Sequence, residues 1–146
     1  MTMLLKDDLS LLPACAGVYA AAYAEEPWGE TFDPDALQAY LRRFAEADDL
    51  SLYIYLHENE PIGIALVSIV PCIGSNFARI EDFCIAPAFQ RKGLGSRFMS
   101  LLCGDLRARG CDSVLLATQQ NFPSHHFYMH CGFVPLNSSI QLYREI

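Results

Sequence analysis

Hydrophobic positions follow two different periods along this chain, and the switches between them outline its elements. Residues 9–24 are apolar and rich in alanine, and Leu9, Leu12, Val18, Tyr19 and Tyr23 can share one face of a helix that starts near Pro13. Residues 25–32 are broken by Pro27 and Gly29 and predict a loop. Asp33 followed by Pro34 has the form of a helix cap and a first helical position. Leu37, Tyr40, Leu41 and Phe44 continue at helical spacing, and the helix ends near Asp48-Asp49. Residues 51–56 and 62–70 predict a hairpin around His57-Glu58-Asn59-Glu60-Pro61. After a loop at 71–76, residues 77–85 predict a third strand.

Leu94, Phe98, Leu101, Leu102 and Leu106 return to the helical period, and Gly110 ends that helix with Arg107 and Arg109 in its last turn. The apolar run 113–118 predicts a central strand. Residues 124–131 predict a short helix closed by Gly132, and the residues from Phe133 onward, including 140–145, predict further strands. The expected order is α-α-β-β-β-α-β-α-β-β. That is a mixed α/β fold with a largely antiparallel sheet flanked by helices and one crossover. The 146 residues are expected to form a single domain, 1–146.

Composition narrows the class. Hydrophobic residues make up 52% and charged residues 18%, as in a globular chain. No apolar run reaches the roughly 20 residues of a membrane span. Residues 1–8 carry no basic stretch followed by an apolar one, so the expectation is a cytoplasmic protein that does not meet a membrane. Six cysteines (Cys15, Cys72, Cys84, Cys103, Cys111, Cys131) lie without C-x-x-C spacing and read as reduced thiols in packing positions. The net charge of −7 has the wrong sign for nucleic acid and favours cationic or neutral partners. Against that overall sign, Arg91, Lys92 and Arg97 gather at one place.

That place lies in the stretch Ile80-Glu81-Asp82-Phe83-Cys84-Ile85-Ala86-Pro87-Ala88-Phe89-Gln90-Arg91-Lys92-Gly93-Leu94-Gly95-Ser96. A strand-like run stops at Pro87, a basic loop with two glycines follows, and a helix begins. Free N–H groups and the positive end of the helix dipole meet there, which suits a phosphorylated ligand. The loop lacks G-x-x-x-x-G-K-[ST], and Phe98 stands where G-x-G-x-x-G needs its third glycine, so neither nucleotide fingerprint fits. Two glycines alone would also suit an ordinary strand-to-helix turn.

A second segment changes that. Gln90-Arg91-Lys92-Gly93-Leu94-Gly95 resembles the Q/R-x-x-G-x-G/A signature of the GNAT superfamily of N-acetyltransferases, in the same strand-to-helix setting. Downstream, Asn121, Tyr128 and Gly132-Phe133 resemble the superfamily's spacing of asparagine, six residues, tyrosine, three residues, glycine and phenylalanine. The expected element order is similar too, and the resemblance covers the chain from about residue 9 to its end. It implies acetyl-CoA as cosubstrate and no metal. It implies that Gln90 and the amides of Arg91, Lys92, Gly93, Leu94, Gly95 and Ser96 surround the pyrophosphate. Phe83, Cys84 and Ile85 would pair through their backbone with the pantetheine arm, with Asn121 hydrogen-bonding that arm and Phe127 beside it.

Acetyl transfer requires an amine to lose a proton and attack a thioester while the thiolate leaves. The resemblance implies Tyr128 as the acid that protonates the sulfur, against the plainer reading of a core tyrosine. It implies Glu81 as the base, acting through water, because Ile80-Glu81-Asp82-Phe83 is similar to the L-E-D-F segment of polyamine-type members. A carboxylate facing solvent or binding a cation is the alternative there. Strand alternation points Asp82 to the opposite face from Glu81. A backbone N–H near Cys84 or Ile85 is the expected oxyanion donor. His126 and His130 sit four apart beside Cys131 but lack a third ligand, and Cys84 reads as a small packing residue rather than a nucleophile.

The loop between the first two helices carries Glu25, Glu26, Trp28, Glu30 and Phe32, and acidic and aromatic groups together suit an ammonium substrate. Tyr53 and His57 are further candidates for that wall. A solvated acidic loop with one anchoring tryptophan is the alternative. The expected function is an acetyl-CoA-dependent N-acetyltransferase acting on a primary amine of a small molecule or peptide, cationic in character, in a ternary complex. A catalytically inactive CoA-binding module, serving as sensor or partner subunit, is the alternative, and the oligomeric state is left open, with a homodimer as one option.

Overall fold

Four consecutive antiparallel strands and one parallel strand make a single sheet in chain order. In this computed structural model, which describes residues 1–146, the strands are β1 (Thr2–Lys6), β2 (Leu50–His57), β3 (Glu60–Cys72), β4 (Ser75–Ile85) and β5 (Cys111–Leu116). β5 runs parallel to β4 and every other neighbouring pair is antiparallel. Glu58 and Asn59 turn the β2–β3 hairpin with φ of 51° and 66°, the backbone hand that matches strand twist.

Helices cover both faces. α1 (Leu12–Ala24), entered through a single tight turn at Leu9–Leu11, and α2 (Pro34–Glu46) lie on one face. α3 (Leu94–Ala108) and α4 (Pro123–His130) lie on the other. Asp33 caps α2 by accepting from the Ala36 N–H at 2.9 Å, with Pro34 at the first helical position, as the sequence predicts. Leu12, Cys15, Leu41 and Phe44 pack on Leu52, Ile54, Ile64 and Leu66. Phe98, Met99, Leu102 and Leu106 pack on Tyr53, Tyr55, Ala65 and Val67 from the other side. β2 and β3 are therefore apolar at nearly every position, as strands covered on both faces must be.

The mixed, largely antiparallel architecture is the expected one, and three details differ. β1 precedes the first helix; its five residues, ending at Lys6, are too short for a periodic signal and are followed by Asp7-Asp8. β5 is an edge strand rather than a central one. The strands expected from Phe133 onward and at 140–145 are not formed. Pro135 lacks an N–H for a ladder, Ser139 N–H bonds back to Leu136 O at 3.3 Å in a turn, and residues 140–146 pair with nothing in their own chain.

Two features of β4 shape the site. Its last pairing with β5 is Ile80 with Leu116, so Glu81–Ile85 run on with no strand on that side. Across on β3, Leu66 faces Asp82 while Val67 faces Ile80, which leaves Glu81 as the extra residue of a bulge. The bulge changes the strand's parity. Before it, Ala78 and Ile80 face α3; beyond it, Phe83 and Ile85 do. A run of stacked rings then braces the open end. Tyr55 stacks on Phe98 at 4.9 Å, Phe98 on Phe83 at 4.7 Å, and Phe83 on Phe127 of α4 at 5.6 Å.

Candidate active site

Where β4 and β5 part, a cavity of about 1070 Å³ opens. Its walls are the end of β4, the loop before α3, the loop between α1 and α2, and the first turns of α4.

One side of the cavity is built from backbone. Gln90 Nε2 donates to Ile85 O at 2.8 Å and ties the loop to the end of β4. Arg91 and Gly93 adopt left-handed φ of 61° and 79°, and such alternation turns consecutive N–H groups into one concavity. Gly93 caps α3 without a side chain, so the first amides of the helix have no side-chain acceptor. A Cβ on Gly95 would lie 3.1 Å from Phe127 Cε1 and 3.3 Å from Cζ, so the ring already fills that space. This bare, positively polarised cradle fits a pyrophosphate. Gln90, Arg91, Gly93, Gly95, Ser96 and Phe127 line the cavity. Lys92 instead lies with Nζ 5.7 Å over the Phe89 ring, Leu94 packs into the core, and Asn121 is exposed in the turn before α4.

The other side is built from side chains. Because of the bulge, Glu81 and Asp82 lie on the same face of the sheet, not on the opposite faces that alternation predicts. Glu81 is exposed, accepts from Ser68 Oγ at 3.1 Å and lies 3.8 Å from Arg79. Asp82 accepts three tyrosine hydroxyls, from Tyr40 at 2.8 Å, Tyr23 at 3.1 Å and Tyr19 at 3.3 Å. Burial raises the pKa of Asp82 and the Glu81 charge adds to that, while the three hydroxyl donors pull it down. Burial also pushes up all three tyrosine hydroxyls, so they remain donors.

Tyr128 stands between the two sides. Its ring packs on Phe83, Phe127 and Phe133 at 6.3, 5.3 and 5.8 Å. Burial, then the nearby Cys84, Asp82 and Cys131, raise its hydroxyl pKa, which keeps the proton in place for donation. Cys84 is buried against the α1–α2 layer and burial pushes its thiol up, as for a packing residue. His130 borders the cavity, but no three His, Cys, Asp or Glu side chains converge as metal ligands.

The α1–α2 loop forms the roof. Glu25 O accepts from the N–H groups of Trp28 and Gly29 at 3.0 and 3.1 Å, and Glu30 N–H returns to Tyr23 O at 2.8 Å. The Trp28 ring is held edge-on between Tyr23 at 5.5 Å and Phe122 at 5.8 Å. Glu25, Glu26, Trp28 and Glu30 all line the cavity. Phe32 turns away to pack on Tyr19 at 5.3 Å. Tyr53 and His57, expected as wall residues, are elsewhere. Tyr53 is buried under α3, where it donates to Asp105 and accepts from Arg109, and His57 sits 5.9 Å from Phe89. The hydrogen bonding of Asp82 escapes the sequence because Tyr19, Tyr23 and Tyr40 sit at helical core spacing; three tyrosines on such faces are the signal that an acceptor awaits their hydroxyls.

The acetyltransferase (GNAT) family model matches residues 17–133, a span that includes both the cradle and Tyr128. The chain belongs to the GNAT acetyltransferase family. No curated protein sequence matches it. Among solved structures, a possible acetyltransferase from Clostridium difficile 630 superposes with TM-score 0.85 at 13% identity, over 100% of this chain and 99% of that one. A putative acetyltransferase from Agrobacterium tumefaciens str. C58 gives 0.78 at 21% identity, over 97% and 99%. The aminoglycoside N-acetyltransferase AAC(6')-Iy, solved with CoA, gives 0.79 at 20% identity, over 99% and 95%. At such identities these likenesses concern the fold. GNAT proteins take the acetyl group from acetyl-CoA, and in this member the cradle at Gln90–Ser96 is the part of the cavity suited to the coenzyme's phosphates.

Proposed function

We propose that this GNAT protein moves the acetyl group of acetyl-CoA to a primary amine of a cationic small molecule or peptide, by direct attack in a ternary complex. The observation that carries the reading is one cavity with two unlike sides meeting at Tyr128: backbone donors on one, carboxylates and aromatic rings on the other. When bound, the coenzyme supplies the activated acetyl thioester. The amides of Arg91–Ser96 hold its phosphates, and the unpaired edge of Phe83, Cys84 and Ile85 offers hydrogen bonds to the pantetheine arm. Asn121 would have to turn inward from its exposed position to join that arm. A backbone N–H at Cys84 or Ile85 stabilises the acetyl oxygen as negative charge develops there.

Tyr128 gives its Oη proton to the departing sulfur. The amine's proton goes to the carboxylate pair at the bulge. Asp82, half-buried and held in place by three hydroxyls, is the better-positioned acceptor, and Glu81, at the solvent side, takes the proton onward through water. Glu25, Glu30 and the Trp28 ring hold the rest of a cationic acceptor. The similarity in fold to an aminoglycoside N-acetyltransferase supports an amine acceptor of this kind.

The test is release of free thiol from acetyl-CoA against a panel of polyamines, aminoglycosides, amino acids and peptide N-termini. Thiol release with cationic amines, and much less with neutral ones, is expected. Coenzyme binding without thiol release from any member of the panel would favour a binding module instead.

A further inference from the structure

The two oxygens of Asp82 are not used alike. Tyr19 and Tyr23, four residues apart on one face of α1, both donate to Oδ1, at 3.3 and 3.1 Å. Tyr40, from α2, donates alone to Oδ2, at 2.8 Å, the shortest of the three bonds. An ionised carboxylate oxygen accepts about two hydrogen bonds. Oδ1 is therefore full, and Oδ2 keeps one site open.

Tyr40 reaches the carboxylate from outside the cavity. Asp82 and Tyr23 line the cavity, whereas Tyr40 lines a separate, smaller cleft between α1 and α2. Its ring is held without help from its hydroxyl, edge-on against Tyr19 at 6.3 Å and Phe44 at 5.4 Å. Loss of the hydroxyl alone leaves both ring contacts and the cavity lining in place, so its effect on turnover must pass through Asp82.

Given the reading of Asp82 as the base, on which this rests, we propose that Oδ2 of Asp82 is the atom that takes the amine's proton and that Tyr40 is the positioning residue that aims it. As the nitrogen attacks the thioester carbon, one N–H bond breaks and one O–H bond forms at Oδ2, while the C–S bond breaks and the sulfur takes the Tyr128 proton. A protonated Oδ2 still has a lone pair for the Tyr40 hydroxyl, so the proton arrives without loss of a hydrogen bond. Protonation at Oδ1 would expel Tyr19 or Tyr23. The groups facing Asp82 are Tyr19 and Tyr23 on α1, Tyr40 on α2, Glu81 and Cys84 on β4 and Tyr128 on α4, with apolar Leu66 opposite on β3. The three hydroxyls lower its pKa, Tyr40 most, and the Glu81 charge raises it.

The test is the pH dependence of kcat and kcat/KM for Tyr40→Phe, Tyr19→Phe, Asp82→Asn and the double variant Asp82→Asn/Tyr40→Phe, with the panel amine that releases thiol fastest. Tyr40→Phe should lower the plateau of kcat about tenfold, with KM for the amine and coenzyme affinity near those of the wild type. It should also move the acidic limb to higher pH, which a merely structural role would not do. Tyr19→Phe should lower the plateau less, because Tyr23 stays on Oδ1. In the Asp82→Asn background, loss of the Tyr40 hydroxyl should change kcat no further. Thiol release with no amine overturns the proposal together with the acetyl-transfer reading. An acidic limb that survives Asp82→Asn overturns it together with the base. A limb that Asp82→Asn abolishes and Tyr40→Phe leaves in place, or a Tyr19→Phe effect as large as that of Tyr40→Phe, keeps the base and overturns the proposal alone. So does a full further loss in the double variant.

Discussion

The two sides of the cavity are made in opposite ways. The side proposed for the coenzyme is backbone: the end of β4 from Phe83 to Ile85, and the cradle Gln90–Ser96, whose amides, left-handed Arg91 and Gly93 and missing Cβ atoms lie close together in sequence. The side proposed for the acceptor is side chain: Tyr23 from α1, Glu25, Trp28 and Glu30 from the roof, and Glu81 and Asp82 from β4, with Tyr19 and Tyr40 behind Asp82, brought together only by the fold. A backbone site is local in sequence and tolerates most side chains, but not an added Cβ at Gly95. A side-chain site is non-local, and one bulge decides which carboxylate joins it.

Tyr128 touches both sides, so changing it should give the largest effect. In Tyr128→Phe the ring still packs on Phe83, Phe127 and Phe133, and only the proton donor is lost. We expect kcat to fall by about 10²–10⁴. Binding of acetyl-CoA, measured by calorimetry, should change little. Turnover unchanged at every pH would remove Tyr128 from the chemistry and leave the cavity without an acid.

Asp82→Asn separates the two sides next. It should lower kcat/KM for the amine by about 10² while leaving coenzyme affinity intact, and Glu81→Gln should do less. The pH dependence carries a sign. A base acts as the carboxylate, and burial raises the pKa of Asp82, so the acidic limb of kcat/KM should lie above the ordinary aspartate range and vanish in the variant. Stability runs the other way. A folded-state pKa above the unfolded one means that the stability due to this group is fully present below the unfolded pKa and is lost as pH rises through the raised value. Above the raised value the half-buried carboxylate is therefore a burden, and there Asp82→Asn should melt no lower than the wild type while losing activity. A variant that melts much lower at neutral pH would make Asp82 a structural anchor for the tyrosines instead.

The same contrast sets how much could be read in advance. The hairpin, the α2 cap and the cradle are local, and Asp33-Pro34 and Gln90–Gly95 announce them within a few residues. Alternation puts Asp82 on the wrong face because it is a rule for regular pairing, and a one-residue bulge reverses it without leaving a signature in Ile80-Glu81-Asp82-Phe83. Tyr53 is not a wall residue because its hydroxyl has partners, Asp105 and Arg109, more than fifty residues away in sequence, which no local pattern announces. At the sheet edge the mismatch has another source: periodicity reports which segments have strand character, and Pro135 and the turn at Leu136–Ser139 break the chain between Phe133 and the segment at 140–145.

The smallest effect concerns the cradle. Gly93 and Gly95 are both bare, for different reasons. A Cβ on Gly93 meets nothing within 4 Å, but its φ of 79° is left-handed, so Gly93→Ala should cost about 1–2 kcal/mol of stability, read as a lower melting temperature. A Cβ on Gly95 has an ordinary backbone but presses on Phe127 at 3.1 Å. Overpacking of that size costs about 1–3 kcal/mol, and Phe127 must shift to relieve it. The shift moves the coenzyme wall, so Gly95→Ala should weaken acetyl-CoA binding by about tenfold, equivalent to roughly 1.4 kcal/mol. KM for the amine should stay near that of the wild type, because the side chains nearest to a Cβ there are Phe127 and Ile85. If amine selectivity moved with coenzyme affinity, the stack from Phe127 through Phe83 to Phe98 would be transmitting strain between the sides, and the backbone and side-chain halves would be one mechanical unit.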